Sequence, residues 1–150
     1  MKKKSVKYSE GDLFLIELKN DQKILGIIAR RYGKTKLLLG FFWKYNFLIT
    51  DDYILKKQDA ILITKFGGLG FELSDWQVLG KYKHWHREDF GFPEFKRYDT
   101  IRDTFFAVSY NESFEQTSLR PISTEQSKAF FEDGSHGHIS LENYLLKITS

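Results

Sequence analysis

Two histidine pairs are the residues of this chain best suited to metal chemistry. His84 and His86 lie one residue apart, and His136 and His138 repeat that spacing far along the chain. On a strand both members of such a pair point to one face, and imidazoles from the two pairs could bind zinc if the fold brought them together. The alternative is that each pair is a polar surface feature, which the loop predicted around His136–His138 favours. We therefore expect no bound metal and no cofactor.

The other patterns that could indicate catalysis are incomplete. Adjacent carboxylates occur at Asp51–Asp52, Glu88–Asp89 and Glu132–Asp133, but acid–base catalysis needs two carboxylates in different environments across a pocket. The run Gly67–Gly70, GGLG, lacks the spacing of a dinucleotide-binding or phosphate-binding loop and predicts a tight turn. The chain has no cysteine and no G-x-S-x-G serine pattern. The sequence thus predicts a protein that is not an enzyme.

The segment Tyr82–Arg87, YKHWHR, has the composition of a binding surface. Tyr, Trp and Arg are enriched among the residues that dominate binding energy at protein interfaces. We interpret the segment as extended, so that alternate side chains would face opposite sides. The candidate partner contacts are Tyr82, His84, Trp85, His86 and Arg87. The same side chains could instead stack on nucleic-acid bases.

Composition and the lengths of the apolar runs indicate the fold class and the cellular location. The chain has 150 residues, 41% of them hydrophobic and 17% aromatic, which predicts one folded domain and favours β-structure. The absence of cysteine fits a reducing compartment. Glu10 and Asp12 interrupt the place where a secretion signal would have its apolar core, and the longest apolar run, Leu37–Trp43, is too short to span a bilayer. We expect a cytoplasmic protein with no membrane partner.

The charge distribution argues against nucleic acid as the partner. The formal net charge is +3, and part of that excess is a lysine cluster near the amino terminus. A nucleic-acid binder usually carries a basic stripe across a folded face. Here the remaining positive charges are scattered among 20 acidic residues, so a small β-barrel that binds nucleic acid is only the alternative interpretation.

Apolar runs predict a mainly β fold with a curved, largely antiparallel sheet or a small barrel. Gly26 and Gly40 interrupt two long strands, and interior glycines indicate bulges or close backbone approach. Alternation in Leu69–Leu73 predicts a short edge strand. Within Phe41–Phe47, the face formed by residues 41, 43, 45 and 47 is all aromatic and is predicted to be core. The other predicted strands are Asp12–Leu18, Lys23–Arg30, Lys36–Ile49, Ala60–Phe66, Trp76–Tyr82 and Phe105–Tyr110.

The carboxyl-terminal part changes to a helical period. Ser123 and Gln126 form a capping-box pattern, and Gly134 is a suitable end for that helix. Ser140 is predicted to cap a second helix, whose apolar face is made of Leu141, Tyr144, Leu145 and Ile148. We expect a single domain over residues 1–150, with a basic tail over 1–9, a β core over 11–110 and a helical part over 122–150.

Several short motifs follow one another in a recognisable order. They involve Gly11, Asp12 and Phe14, then Gly26, then Trp76 and Gly80, then Pro93 and Phe95. In this order, Gly11–Lys96 resembles the bacterial immunity protein 26 family, whose members share a G-D-hydrophobic-Phe strand, a glycine-containing strand, a W-x-(V/I)-(I/L)-G segment and a Pro-x-Phe.

The resemblance implies an antitoxin, a cytoplasmic protein that binds and neutralises a cognate bacterial polymorphic toxin by covering its active site. It implies mainly architectural roles for the matching residues. Glycines would shape turns and bulges, while Phe14, Trp76 and Phe95 would fill the core. Neither the toxin, nor the surface that binds it, nor the oligomeric state is assigned by the sequence.

Overall fold

The computed structural model describes residues 6–46 and 53–150. The strands are β1 (Asp12–Glu17), β2 (Lys23–Arg31), β3 (Leu37–Lys44), β4 (Leu62–Gly67), β5 (Gln77–Lys81), β6 (Phe95–Asp99), β7 (Thr104–Tyr110), β8 (Gln116–Ile122) and β9 (Ser135–His136). The helices are α1 (Gly70–Leu73), α2 (Thr124–Ser127) and α3 (His138–Thr149). The chain divides into two compact units, which we describe separately: unit 1 is the chain up to Phe90 together with Ser135–Ser150, and unit 2 is Gly91–Gly134.

Unit 1 is built on one sheet. Over the described residues its strand order is β5-β1-β2-β3-β4-β9, so the sheet is open, with β5 and β9 at its edges. All pairs are antiparallel except β4 with β9, where Phe66 lies opposite His136 in a parallel register. The predicted mainly β, largely antiparallel architecture is therefore confirmed in its open-sheet form.

Interlocked aromatic rings and glycines form the core of unit 1. Phe14 is fully buried and has Phe71 at 4.9 Å, Phe66 at 5.8 Å and Trp76 at 5.9 Å between ring centroids. The Phe14 ring lies over the backbone of Gly26, where an added Cβ would be 2.4 Å from the ring's Cζ. Gly26 is therefore needed for close approach, as its place in a strand predicted.

The first strands of unit 1 lie where the sequence predicted them, with small shifts at their ends. The prediction for the third extended to Ile49, but β3 ends at Lys44, and residues 47–49 lie outside the described part of the chain. The predicted aromatic core face is confirmed at Phe41 and Trp43, which are buried. Asp51–Asp52 also lies outside the described residues.

The predicted edge strand Leu69–Leu73 is wrong, because this segment forms the short helix α1. The amide of Leu73 donates to the carbonyl of Leu69 at 2.9 Å, as in a helical turn. Gly70 approaches the Trp76 indole so closely that a Cβ would lie 2.3 Å from it, and Phe71 is buried. The apolar alternation therefore reflects packing of one helical turn against the core. The predicted GGLG turn is reduced to residues 68–69.

One residue of the predicted amino-terminal tail, Tyr8, packs against unit 1. Tyr8 is buried, its ring stacks on Phe71 at 4.5 Å, and the Arg31 guanidinium lies 4.5 Å from the ring centroid. Burial raises the pKa of the Tyr8 hydroxyl above its ordinary value. Residues 1–5 lie outside the described chain.

Unit 2 is a three-stranded antiparallel sheet in the order β6-β7-β8. The predicted strand Phe105–Tyr110 is confirmed as part of β7, and Phe95 is fully buried in β6. Two side chains of the sheet bind the carboxylate of Asp133, near the end of unit 2. Arg97 forms an ion pair with it, and the Tyr110 hydroxyl donates a hydrogen bond to it. The hydrogen bond with Asp133 raises the pKa of Arg97.

No strand was predicted after Phe105–Tyr110, which is wrong, because β8 and β9 follow it. Alternation of apolar and polar residues could not predict β8, because all its residues except Ile122 are exposed. The capping box of Ser123 and Gln126 is confirmed. However, helix α2 ends at Ser127 and does not extend to Gly134.

Helix α3 begins earlier than predicted, at His138, with Gly137 as its N-cap. Ser140 does not cap this helix; its hydroxyl lies 2.7 Å from the Nδ1 of His136. The loop predicted over His136–His138 is also wrong, because His136 belongs to β9. Of the predicted apolar face, Leu141 and Leu145 are buried.

Within the described chain, no helix has the length and apolar character needed to cross a bilayer.

Candidate partner-binding site

The segment that follows β5 forms a compact turn, so its predicted extended conformation is wrong. Gly80 has a φ of 101°, and the chain then reverses, with the Trp85 amide donating to the Tyr82 carbonyl at 3.1 Å. Arg87–Phe90 forms a 3-10 turn. The turn has a physical reason: both Tyr82 and Phe90 are buried, and a straight strand could not return the second ring to the core. We call Tyr82–Phe90 the contact segment.

A buried arginine of β2 holds the contact segment in place. Arg30 is 4% exposed, and its Nη1 donates to the carbonyls of Ala29 at 2.7 Å, Arg87 at 3.0 Å and Phe90 at 3.3 Å. Carbonyl oxygens are strong acceptors that must be satisfied when buried, and a guanidinium offers several donors in a rigid plane. Arg30 therefore fixes the position of the 3-10 turn.

Glu10 fixes the exposed side of the contact segment. Its carboxylate accepts a hydrogen bond from Arg87 Nε at 2.7 Å and another from the backbone amide of Arg31 at 3.0 Å. Arg87, a predicted partner contact, is therefore turned toward its own unit and positioned by a carboxylate.

Trp85 lies between a ring and a glycine. It stacks on Phe90 with centroids 5.5 Å apart and an interplanar angle of 18°. Gly11 has a φ of 90°, and a Cβ at that position would be 2.9 Å from Trp85 Cγ. The side chain remains partly exposed. Gly11, which belongs to the first motif of the family resemblance, thus makes room for Trp85, a predicted contact residue. The sequence did not show this contact, because the two residues lie far apart along the chain.

Tyr82 joins the contact segment to a second stretch, Tyr53–Gln58. The Tyr82 ring is buried, and its hydroxyl accepts a hydrogen bond from the Leu55 amide at 2.8 Å. The indole of Trp43 donates to the carbonyl of Lys56 at 2.9 Å. Tyr82 is therefore an internal anchor and presents little surface to a partner.

A cleft of about 430 Å³ lies between these two stretches. Leu55, Tyr82 and Phe90 are the buried residues that line it. The complete lining is Ile54, Leu55, Lys56, Lys57, Gln58, Tyr82, His84, His86, Asp89 and Phe90. Three predicted contacts, Tyr82, His84 and His86, thus meet in one cleft, whereas Trp85 and Arg87 lie outside its lining.

The lysine side of this cleft was not predicted from the sequence. Ile54 is 62% exposed, and Lys56 and Lys57 are exposed beside it. An exposed isoleucine directly followed by a buried leucine and two lysines was the available signal, but the same pattern occurs on ordinary surfaces. Among the described residues, neither lysine forms an ion pair, and Asp89 is the one carboxylate in the lining.

The two histidine pairs have separate surroundings. His84 and His86 line the cleft, while His136 lies beside Ser140 and has its ring 5.2 Å from that of Tyr144. In the part of the chain that the structure describes, no group of three or more His, Cys, Asp or Glu side chains could hold a metal ion.

The comparisons with known proteins agree with the motif order. Searches of the curated proteins and of the solved structures gave no match. A family profile described as Immunity protein 26 matches residues 9–107, which is more than half of the chain and includes both Gly11 and the whole contact segment. The chain therefore belongs to the immunity protein 26 family.

Proposed function

We propose that this protein neutralises a cognate bacterial toxin by binding its toxic domain and covering the active site or substrate groove. It would act in the cytoplasm, as a protein inhibitor and without catalysis of its own. Membership of the immunity protein family supports the role. The mechanism of occlusion and the choice of surface are inferred from the geometry of the contact segment.

The observation that carries the proposal is the rigid anchoring of a partly exposed aromatic and basic segment. Arg30 binds its backbone carbonyls, and Tyr82 is buried beneath it. Trp85 and His84 are partly exposed, and His86 is exposed. A surface held in its binding conformation loses little conformational entropy on association, and aromatic residues beside basic ones are typical anchors of tight interfaces.

Occlusion needs an interface of ordinary size. Specific complexes bury about 800 Å² on each partner, and a few central residues supply most of the binding energy. A segment fixed by both backbone and side-chain contacts can exclude substrate from a groove without taking part in any reaction. The toxin would be inactive for as long as the complex lasts.

Affinity capture from the bacterium that encodes the protein tests this function. The purified protein serves as bait at moderate salt, and eluted molecules are identified by mass spectrometry. We expect one large secreted-type protein, bound through its carboxyl-terminal domain, and inhibition of that domain's activity when the purified components are mixed. Recovery of nuclease-sensitive RNA or DNA without a protein partner would reject the proposal in favour of the nucleic-acid alternative.

Replacement of Trp85 tests the surface. Trp85→Ala should weaken toxin binding by more than about 1 kcal/mol, because it removes a central aromatic anchor. Since Trp85 also packs on Phe90, His86→Ala serves as a second variant that touches only an exposed side chain and should weaken binding in the same direction. Binding is measured by calorimetry, with circular dichroism to verify the fold. Unchanged affinity in both folded variants would show that another surface binds the toxin.

A further inference from the structure

We infer that the cleft between Tyr53–Gln58 and the contact segment accepts a carboxylate-bearing segment of the toxin that inserts an apolar side chain. This inference rests on the proposed function and specifies the chemistry of the partner. It concerns residues that the family resemblance does not assign.

The floor of the cleft is apolar and preformed. Its base is made of three buried side chains, those of Leu55, Tyr82 and Phe90. Ile54 lies beside them with 62% of its surface exposed. An exposed aliphatic side chain next to an apolar recess gains free energy when a partner removes both from water, at about 25 cal/mol per Å² of apolar surface. The recess therefore suits an apolar anchor from the partner.

The rim of the cleft is basic. Lys56 and Lys57 lie on one side, His84 and His86 on the other, and Asp89 is the counter-charge within the lining. Neither lysine is neutralised by an ion pair among the described residues. Complementary charge at an interface speeds encounter and selects against wrong partners. Carboxylates on the toxin are the complementary groups.

Both walls are held before a partner arrives. The carbonyl of Lys56 is bound by the Trp43 indole, and the amide of Leu55 by the Tyr82 hydroxyl. The ammonium groups consequently project from a fixed backbone. A protein partner fits this site better than nucleic acid does, because Lys56 and Lys57 lie beside one small apolar recess and do not form a stripe along a backbone path.

The double charge reversal Lys56→Glu/Lys57→Glu tests the inference, with the toxin domain recovered by the wild-type bait as the probe. Its affinity should fall at least about tenfold, because repulsion replaces attraction across the interface. The wild-type complex should also weaken as salt is added, because salt screens the attraction, whereas the variant's residual binding should strengthen, because salt screens the repulsion. Lys19→Glu/Lys34→Glu is the matched control, since these two lysines are exposed in turns outside the cleft. It changes the net charge equally and should alter affinity by less than about twofold.

A zero-length carbodiimide cross-link gives a second readout on the wild-type complex. Amide bonds between Lys56 or Lys57 and an Asp or Glu of the toxin, identified by mass spectrometry, support the inference. Equal affinity of the cleft variant and the control, or cross-links only elsewhere, would overturn it and leave toxin neutralisation intact. Failure of the wild-type protein to bind any toxin domain would overturn both. Binding of RNA or DNA that the cleft variant loses, with no cross-linked protein, would overturn it in favour of nucleic acid.

Discussion

At the scale of single residues, the fold depends on glycines that make room for aromatic rings. Gly26 underlies Phe14, and Gly11 underlies Trp85. In each case the nearest side-chain atom belongs to a ring packed on its other side, so it cannot move away cheaply. The close contact explains why glycine occupies an interior position of β2, where a strand would otherwise favour a larger residue, and at Gly11 the positive φ of 90° adds a second reason for glycine.

Replacing Gly26 with alanine should therefore destabilise the protein. The new Cβ would be 2.4 Å from Phe14 Cζ, and overpacking of a core costs about 1–3 kcal/mol in the free energy of unfolding. The control is Gly67→Ala, where the nearest atom to a Cβ is the His136 carbonyl oxygen at 4.0 Å; it should change stability by less than about 0.5 kcal/mol. Urea denaturation measures both, and equal stability of the two variants would contradict the packing argument.

The residue scale also shows what local sequence can predict. Gly26 and Phe14 lie on adjacent strands joined by a short turn, so the interior glycine was a usable signal of close approach. The pairing of Gly11 with Trp85 and of Leu55 with Tyr82 joins residues far apart along the chain. The periodicity of apolar residues cannot predict contacts between such distant residues. These contacts hold the candidate site together.

At the scale of elements, the contact segment is an irregular stretch held by a regular one. Its shape comes from β2, because the Arg30 guanidinium satisfies the carbonyls of Arg87 and Phe90. The sequence predicted strands wherever apolar residues recur, and most of those in unit 1 are confirmed. It missed β6 and β8, whose exposed polar residues are held by backbone pairing to β7, and it interpreted the contact segment as a strand.

Arg30→Lys should loosen the contact segment while leaving the sheet intact. A lysine has fewer donors and no rigid plane, so at least one buried carbonyl loses a charged hydrogen bond worth about 1.5–3 kcal/mol. Hydrogen exchange of amides in residues 85–90 should accelerate about tenfold or more, with no change across β3. Arg31→Lys is the control, because Arg31 donates to the carbonyls of Tyr8, Lys34 and Thr35. Equal exchange of the contact segment in both variants would show that Arg30 does not position it.

At the scale of the whole molecule, unit 1 and unit 2 carry different charges. Between Gly91 and Gly134 the sequence has five Lys and Arg against eight Asp and Glu, which gives unit 2 a net charge of −3. Because the whole chain has a net charge of +3, the residues of unit 1 together carry +6. The nearly balanced charge of the chain therefore conceals a basic unit, which contains the candidate cleft, and an acidic one. The net charge of the whole chain could not reveal this division, because it is the sum of the charges of both units.

The prediction of a single cooperative domain can be tested with intrinsic probes. All three tryptophans, Trp43, Trp76 and Trp85, belong to unit 1, so their fluorescence reports on that unit, while far-ultraviolet circular dichroism reports on both. A unit as small as Gly91–Gly134 has too little core to be stable alone. We therefore expect the two signals to give one coincident urea transition. Separate midpoints would show that the units unfold independently and would contradict the single-domain prediction.

The late position of β9 and α3 in the chain affects how the protein is made. A ribosome completes β1–β5 first, yet the Trp76 indole bonds to Glu142 at 3.1 Å and the Gln22 amide to the Thr149 carbonyl at 2.9 Å. At ~5–20 residues per second, the segment between Phe90 and Ser135 delays those contacts by roughly 2–9 s. A premature stop codon just before the codon for Ser135 would therefore leave the sheet without β9 and the protein without α3, although all of β1–β5 had been translated.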